Sequence, residues 1–265
     1  VSSLRQAVLD ARRGLDYLAR RSDVDPNRLG IAGISLGGIL SGLTAGVDSR
    51  IKVAITVVGG ADFAKGFWDG LATRHYRDEI KGSGYTYETY QAAMAPVDAG
   101  NWLPKRHFDP KNVLMINGRY DLVILPDGAK ALAKDFGGTK IVWLNTGHYG
   151  AATAADAASK LGDQFLRARF FGETAGFHRP DGLPARTLKL GLLLGGHEGV
   201  SPVIATPLIN FDGPGRYTID GQVTLHGLSL AASARIGLIS SVGVEFPLLH
   251  GRIKPRPFVM FSVTL

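Results

Sequence analysis

Residues Leu29 to Leu43 read LGIAGISLGGILSGL, an apolar run that passes through Gly33-Ile34-Ser35-Leu36-Gly37-Gly38 and then resumes with a different spacing. Before Ser35 the residues suit a short strand; after it the apolar positions take helical spacing. Working outward, the same alternation continues. A helix is predicted from about Ser2 to Arg20, with Leu4, Val8, Ala11, Leu15 and Leu18 on one stripe. The turn Asp23 to Asn27 leads into a strand at Arg28 to Ile34. Further apolar strands are expected at Ile51 to Val58, Val113 to Ile116 and Ile141 to Leu144, with helices at about Asp127 to Asp135 and Ala151 to Arg169. Continuous apolar strands alternating with helices predict an α/β fold, a parallel sheet flanked by helices, over residues 1–176.

Two segments interrupt this rhythm. Residues 62–108 carry Phe63, Phe67, Trp68, Tyr76, Tyr85, Tyr87, Tyr90 and Trp102. That is too long for a connection and suits either a cap over a pocket or helices packed on the sheet edge. After Phe177, prolines and glycines recur and helical periodicity ends, so residues 177–265 are expected to form a small all-β domain, a sandwich or barrel. Tyr217, Ile219, Val223 and Leu225 alternate with polar residues, and the phase slips at Gly227, as a turn or bulge would make it do. Other strands are expected at Thr187 to Leu194, Val203 to Ile209, Val242 to Leu248 and Phe258 to Leu265.

Composition narrows the function classes. The 265 residues, 45% of them hydrophobic, suffice for a sizeable core. There is no cysteine, hence no disulfide framework, thiolate metal site or cysteine nucleophile. The net charge of +7 comes from scattered Lys and Arg, which favours a solvated surface over a nucleic-acid groove. The arginines after Val1 stand where a signal peptide would need its apolar core, and no apolar window reaches the length of a membrane helix.

The chemistry centres on Ser35. Gly-Ile-Ser-Leu-Gly between a strand and a helix is the setting of a nucleophile elbow, in which small neighbours let the turn close and the Leu36 N–H faces a developing oxyanion. A serine hydroxyl needs a base to take its proton and an acid to orient that base. Asp121, beyond the strand at Val113, and His148, beyond the strand at Ile141, both fall at the carboxyl ends of strands, where ligands gather in open α/β sheets. Asp127 is expected to cap the following helix, with the triad acid as its alternative role, and Asp109 to belong to the turn before Val113. His75 and His107 suit the surface; Tyr149 suits packing or a role beside His148; Gly59 to Asp62 suits a plain turn or a pocket wall. His178, His197, His226 and His250 lack metal-ligand spacing, so neither a metal nor another cofactor is expected.

The run RRGLDYLARRSDVDPNRLGIAGISLGG resembles the helix, strand and elbow of α/β-hydrolases, in particular the dienelactone-hydrolase, acetyl-esterase and prolyl-oligopeptidase branches. The resemblance covers residues 1–176 and implies Ser35 as nucleophile, Asp121 as acid, His148 as base and Leu36 as one oxyanion donor. Enzymes of this type bring the second donor on a loop that precedes the elbow. The expectation is therefore an incomplete α/β-hydrolase fold lacking its first strands. About a hundred residues would lie upstream of Val1, and the chain alone would be inactive or aggregation-prone without that part.

The resemblance implies a serine hydrolase acting on a small ester through an acyl-enzyme. A peptidase of the prolyl oligopeptidase or X-Pro dipeptidyl peptidase type is the second reading. A third makes the hydrolase part a non-catalytic scaffold and the β region a binding module. The period-two strands of that region would also suit a membrane barrel, but eight strands of about ten residues would consume it entirely, so a soluble module is expected.

Overall fold

A computed structural model describes residues 1–70, 72–174, 177–185, 187–195, 199–211, 216–225, 227–248 and 255–264. His197, His226 and His250 lie outside the described residues. The chain divides into two compact units interleaved in sequence. The first comprises Val1–Asn117, Leu122–Trp143 and Ala155–Asp181; the second comprises Gly118–Asp121, Leu144–Ala154 and Gly182–Leu265.

The main sheet has five strands, β1 (Leu29–Ile34), β2 (Ile51–Val57), β3 (Val113–Gly118), β4 (Ile141–Leu144) and β5 (Gly182–Leu183), paired in that order. β1 and β2 run parallel, as do β2 and β3. Four of these strands match the expected ones to within two residues. β5 was not anticipated, because two residues carry no periodicity. Val113, Leu114, Met115 and Ile116 of β3 are wholly buried, as expected of a strand covered on both faces. Helices supply the cover: α1 (Ser2–Ala19) buries Val8 and Leu15, α7 (Pro126–Asp135) buries Leu132, and α8 (Ala155–Phe170) buries Phe165. Among the described strands β1 forms one edge of the sheet.

Between residues 62 and 108 lie α3 (Phe63–Asp69), α4 (Arg74–Gly82), α5 (Tyr87–Met94) and α6 (Leu103–Arg106), with two short 3-10 turns between α5 and α6. Thr86 and Thr89 make reciprocal side-chain to backbone bonds that start α5. Aromatic rings tie the first three helices together, Phe67 to Tyr76 at 5.4 Å and Trp68 to Tyr87 at 5.6 Å between centroids. The later part of the segment sinks into the main core through Met94, Val97, Leu103 and Phe108.

The β region is a closed barrel of six antiparallel strands: β6 (Lys189–Gly195), β7 (Gly199–Asn210), β8 (Tyr217–Thr224), β9 (Gly227–Arg235), β10 (Ser240–Pro247) and β11 (Arg256–Thr264). Each pairs with its neighbour in sequence, and β11 closes on β6. At the phase slip, Thr224 pairs with Gly227, and Gly227 has a φ of 129° that a side chain would disfavour. Leu193, Val203, Ala205, Ala231, Phe258 and Met260, from four strands, converge in one buried cluster inside. Alongside it lie buried polar groups. Asp220 accepts hydrogen bonds from Lys189 Nζ at 2.8 and 3.0 Å, from Thr218 Oγ1 at 2.9 Å and from Ser233 Oγ at 2.8 Å. Burial pushes the Lys189 ammonium below its ordinary pKa, against the pull of Asp220. The five charged residues within the six strands, Lys189, Asp220, Arg235, Glu245 and Arg256, all fall in the register of the buried positions.

Candidate active site

The corner at Ser35 is built by its neighbours. Ser35 sits between β1 and α2 (Leu36–Val47) with φ 55° and ψ −118°, a backbone conformation that costs a non-glycine residue on the order of 1–3 kcal/mol. Hydrogen bonds hold it there: Ser35 N–H donates to Val57 O at 2.9 Å, and its carbonyl accepts from Ile39 N–H at 3.0 Å. A Cβ on Gly33 would lie 2.1 Å from Gly37 O, and one on Gly38 would meet Val57 O at 3.0 Å. Gly37, by contrast, has open space where its Cβ would be. The expectation of a need for small residues on both sides therefore shifts by one position, from Gly37 to Gly38, because Gly38 is the residue that faces the end of β2. Leu36 is the first residue of α2, so its N–H is among the four that a helix leaves without an internal partner.

Asp121 and His148 meet in the second unit. Asp121 Oδ2 lies 2.7 Å from His148 Nδ1; the carboxylate is fully buried and the imidazole side chain 10% exposed. A carboxylate can only accept, so Nδ1 carries the proton and Nε2 is left as the basic nitrogen. The loops that carry the pair are joined by Arg119 N–H to Leu144 O at 2.9 Å and Tyr120 N–H to Thr146 O at 3.1 Å. They also touch the barrel. The Arg235 guanidinium lies 3.6 Å from the Tyr120 ring centroid and donates to Thr264 Oγ1 at 2.7 Å. A Cβ on Gly147 would stand 1.9 Å from Thr264 O. None of these supports was anticipated. The only hint is that Arg235 is charged at the end of a strand whose other residues are uncharged.

The remaining candidates are placed as follows. Asp127 lies inside the first turn of α7, whose N-cap is Leu125, and pairs with Lys130 at 3.0 Å. It is therefore not the cap it was expected to be, because Pro126 takes the first helical position. Asp109 caps the turn before β3 through Lys111 N–H at 2.9 Å. His75, His107 and His178 are exposed. Tyr149 is 71% exposed, with its ring edge-on to that of His148. Among the described residues no group of His, Asp and Glu could hold a metal ion. Gly60, Ala61 and Asp62 line a cavity of about 260 Å³ in the first unit, together with Ile39, Phe67 and Ile124. Val58, expected as the last strand residue, instead turns to φ 43°, with its N–H on Ile116 O at 2.7 Å.

Ser35 and Leu36 belong to the first unit, and Asp121 and His148 to the second.

Comparison with known proteins adds the lineage. The chain is 42% identical over 55 residues to the Bacillus subtilis (strain 168) protein named "Putative hydrolase YtaP", a stretch covering 21% of this chain and 18% of that protein. Among solved structures, an acetyl xylan esterase from Thermoanaerobacterium sp. JW/SL YS485 aligns at 23% identity and TM-score 0.49, over 60% of this chain and 51% of that one. A puromycin hydrolase aligns at 18% identity and TM-score 0.51, over 64% of this chain and 26% of that one. The chain thus spans about half or less of the length of these relatives. Residues 5–142, just over half of the chain, match the sequence profile of the prolyl oligopeptidase family. The chain therefore belongs to the prolyl oligopeptidase family, within the α/β-hydrolase superfamily.

Proposed function

We propose that this chain carries the nucleophile, base and acid of a serine hydrolase that cleaves small carboxylic esters through an acyl-enzyme. The observation that carries the reading is the backbone of Ser35, held at φ 55° on a strand-to-helix corner in a chain of this family. Ser35 Oγ attacks the ester carbonyl carbon while His148 Nε2 takes its proton. Asp121 keeps the imidazole in the required tautomer and stabilises the imidazolium that forms. The Leu36 N–H, at the positive end of α2, donates to the oxyanion. His148 then returns the proton to the departing alkoxide, and water repeats the sequence on the acyl-enzyme. In this reading residues 1–176 are the C-terminal portion of the catalytic domain, 62–108 its cap, and 177–265 a separate β-rich domain.

The family match favours a second substrate class, peptides, for the same machinery. Both are tested on the complete protein with a p-nitrophenyl acyl ester and a prolyl p-nitroanilide. Faster turnover of the ester is expected, with activity on both lost in Ser35→Ala. Preferential cleavage of the anilide would move the assignment to the peptidase reading. Retained activity in Ser35→Ala would overturn the nucleophile, and no turnover of either substrate would favour the scaffold reading.

A further inference from the structure

The barrel is apolar on its outside, while its interior mixes an apolar cluster with every charged residue of its strands. Its outward positions are Leu190, Ile204, Val223, Val244, Phe261 and their equivalents, and no Lys, Arg, Asp or Glu takes the outward register on any of the six strands. These residues are not a patch. The register runs Leu190 to Ile204, Ile204 to Val223, and Leu190 on its other side to Val263, so the rows of apolar side chains follow the strands around the closed sheet. Leu192, Val223 and Phe261 are each close to half exposed. Monomeric soluble proteins rarely show continuous apolar surface on this scale.

From this we infer that the barrel's outer belt is covered by the hydrocarbon of a lipid bilayer. Three observations select lipid over a protein partner. The belt encircles the barrel, whereas a second protein chain would cover one side of it. Closure leaves no strand edge, so the backbone N–H and C=O groups within the strands are bonded without water, as hydrocarbon requires. The charges that lipid would exclude are turned inward, and the Lys189–Asp220 pair is neutralised there by direct contact. A strand of eight residues, such as β8 or β10, rises about 3.4 Å per residue and, tilted by about 40°, spans roughly 20 Å. That is somewhat less than the ~25 Å apolar band of known membrane barrels, a mismatch a bilayer meets by local thinning. The objection drawn from the sequence, that eight ten-residue strands do not fit, does not apply to closure at six shorter ones. Among the described residues no helix is long and apolar enough to cross a membrane, so the belt is the proposed point of contact.

The absence of native cysteine makes the test direct, since single cysteines can be introduced and spin-labelled. The full chain is mixed with phosphatidylcholine vesicles and floated on a density gradient. Labels at Leu192→Cys, Val223→Cys and Val244→Cys are compared by collision with oxygen, which concentrates in hydrocarbon, and with a water-soluble nickel chelate. Flotation is expected, with oxygen dominating at all three outward sites and the inward Ser262→Cys shielded from the chelate. Ile204→Asp combined with Val244→Asp should abolish flotation, while Ser35→Cys, remote in sequence, should leave it intact. Chelate-dominated collisions at the outward sites would overturn the proposal. So would a chain that stays a monomer in detergent-free buffer and does not float. A detergent-free dimer or larger assembly with the labels shielded would overturn it in favour of a second copy of this chain.

Discussion

In β3 four consecutive residues, Val113 to Ile116, are apolar and all are buried; in β11 the apolar residues Val259, Phe261 and Val263 face outward while Phe258, Met260, Ser262 and Thr264 are buried. The first unit obeys the ordinary rule that helices cover an apolar sheet. The barrel departs from it on the outer face, which is apolar, as is part of the interior. Period-two alternation establishes that one face of a strand differs from the other, but not which of them meets the solvent. In the closed barrel the hydrogen-bonded Ser229 and Ser233 share the interior with Leu193, Val203, Phe258 and Met260, while further apolar residues are turned out.

Substitutions can sharpen this contrast. The largest effect is expected at the acid–base pair, where Asp121→Asn should lower the kcat of the complete protein on the order of 10⁴-fold by favouring the wrong His148 tautomer. Melting temperature should hardly change, and a fall of less than tenfold would remove Asp121 from the proposed triad. Next comes the barrel interior. Lys189→Met leaves the Asp220 carboxylate buried without its cation and should cost about 3–5 kcal/mol in denaturant unfolding. Pairing it with Asp220→Leu should recover most of that loss, and a double variant as unstable as the single one would show that the pair is not an isolated unit.

The matching pair in the first unit should matter less. Asp48, held by Arg50 at 2.6 Å and Arg12 at 3.1 Å, has its pKa lowered to about 2, chiefly by the Arg50 hydrogen bond. Because the folded value lies below the ordinary one, its contribution is complete above about pH 4 and disappears as the pH falls toward 2. Both arginines reach solvent, so Asp48→Asn should cost only about 1–2 kcal/mol at neutral pH. It should cost nothing near pH 2, which thermal melts at the two pH values would check.

The smallest effect runs the other way. Burial, reinforced by Asp98, raises the pKa of Asp135 to about 6, so the folded state holds its proton longer than the unfolded one and stability declines as pH rises from about 4 to 6. Asp135→Asn should therefore stabilise the protein at pH 7, by less than about 1 kcal/mol after allowance for its partial exposure. It should be neutral near pH 4, and destabilisation at pH 7 would contradict this.

What the sequence revealed follows the same division. β1 to β4, the helices around them and the corner at Ser35 were legible because strand, turn and helix each have a local signature of period and glycine placement. Asp121 and His148 were legible from their position after strands, since chain order places them at the carboxyl end of the sheet. The turn at Val58, the exchange of Gly37 for Gly38 as the crowded glycine and the displacement of Asp127 from the cap all depend on neighbours distant in sequence or on a proline that takes the expected place. Arg235 and Thr264, which support the loops of Asp121 and His148, come from strands more than a hundred residues away, beyond the reach of any local pattern.

The contact between Gly147 and Thr264 has a consequence for how this gene can be shortened or recombined. The histidine loop closes against the carbonyl of Thr264, so β11 forms a wall of the mould in which that loop is cast. A deletion of β11 would remove that wall while leaving every predicted triad residue in the sequence. A graft that carried only residues 1–176 onto another scaffold would carry His148 without the surface that shapes its loop.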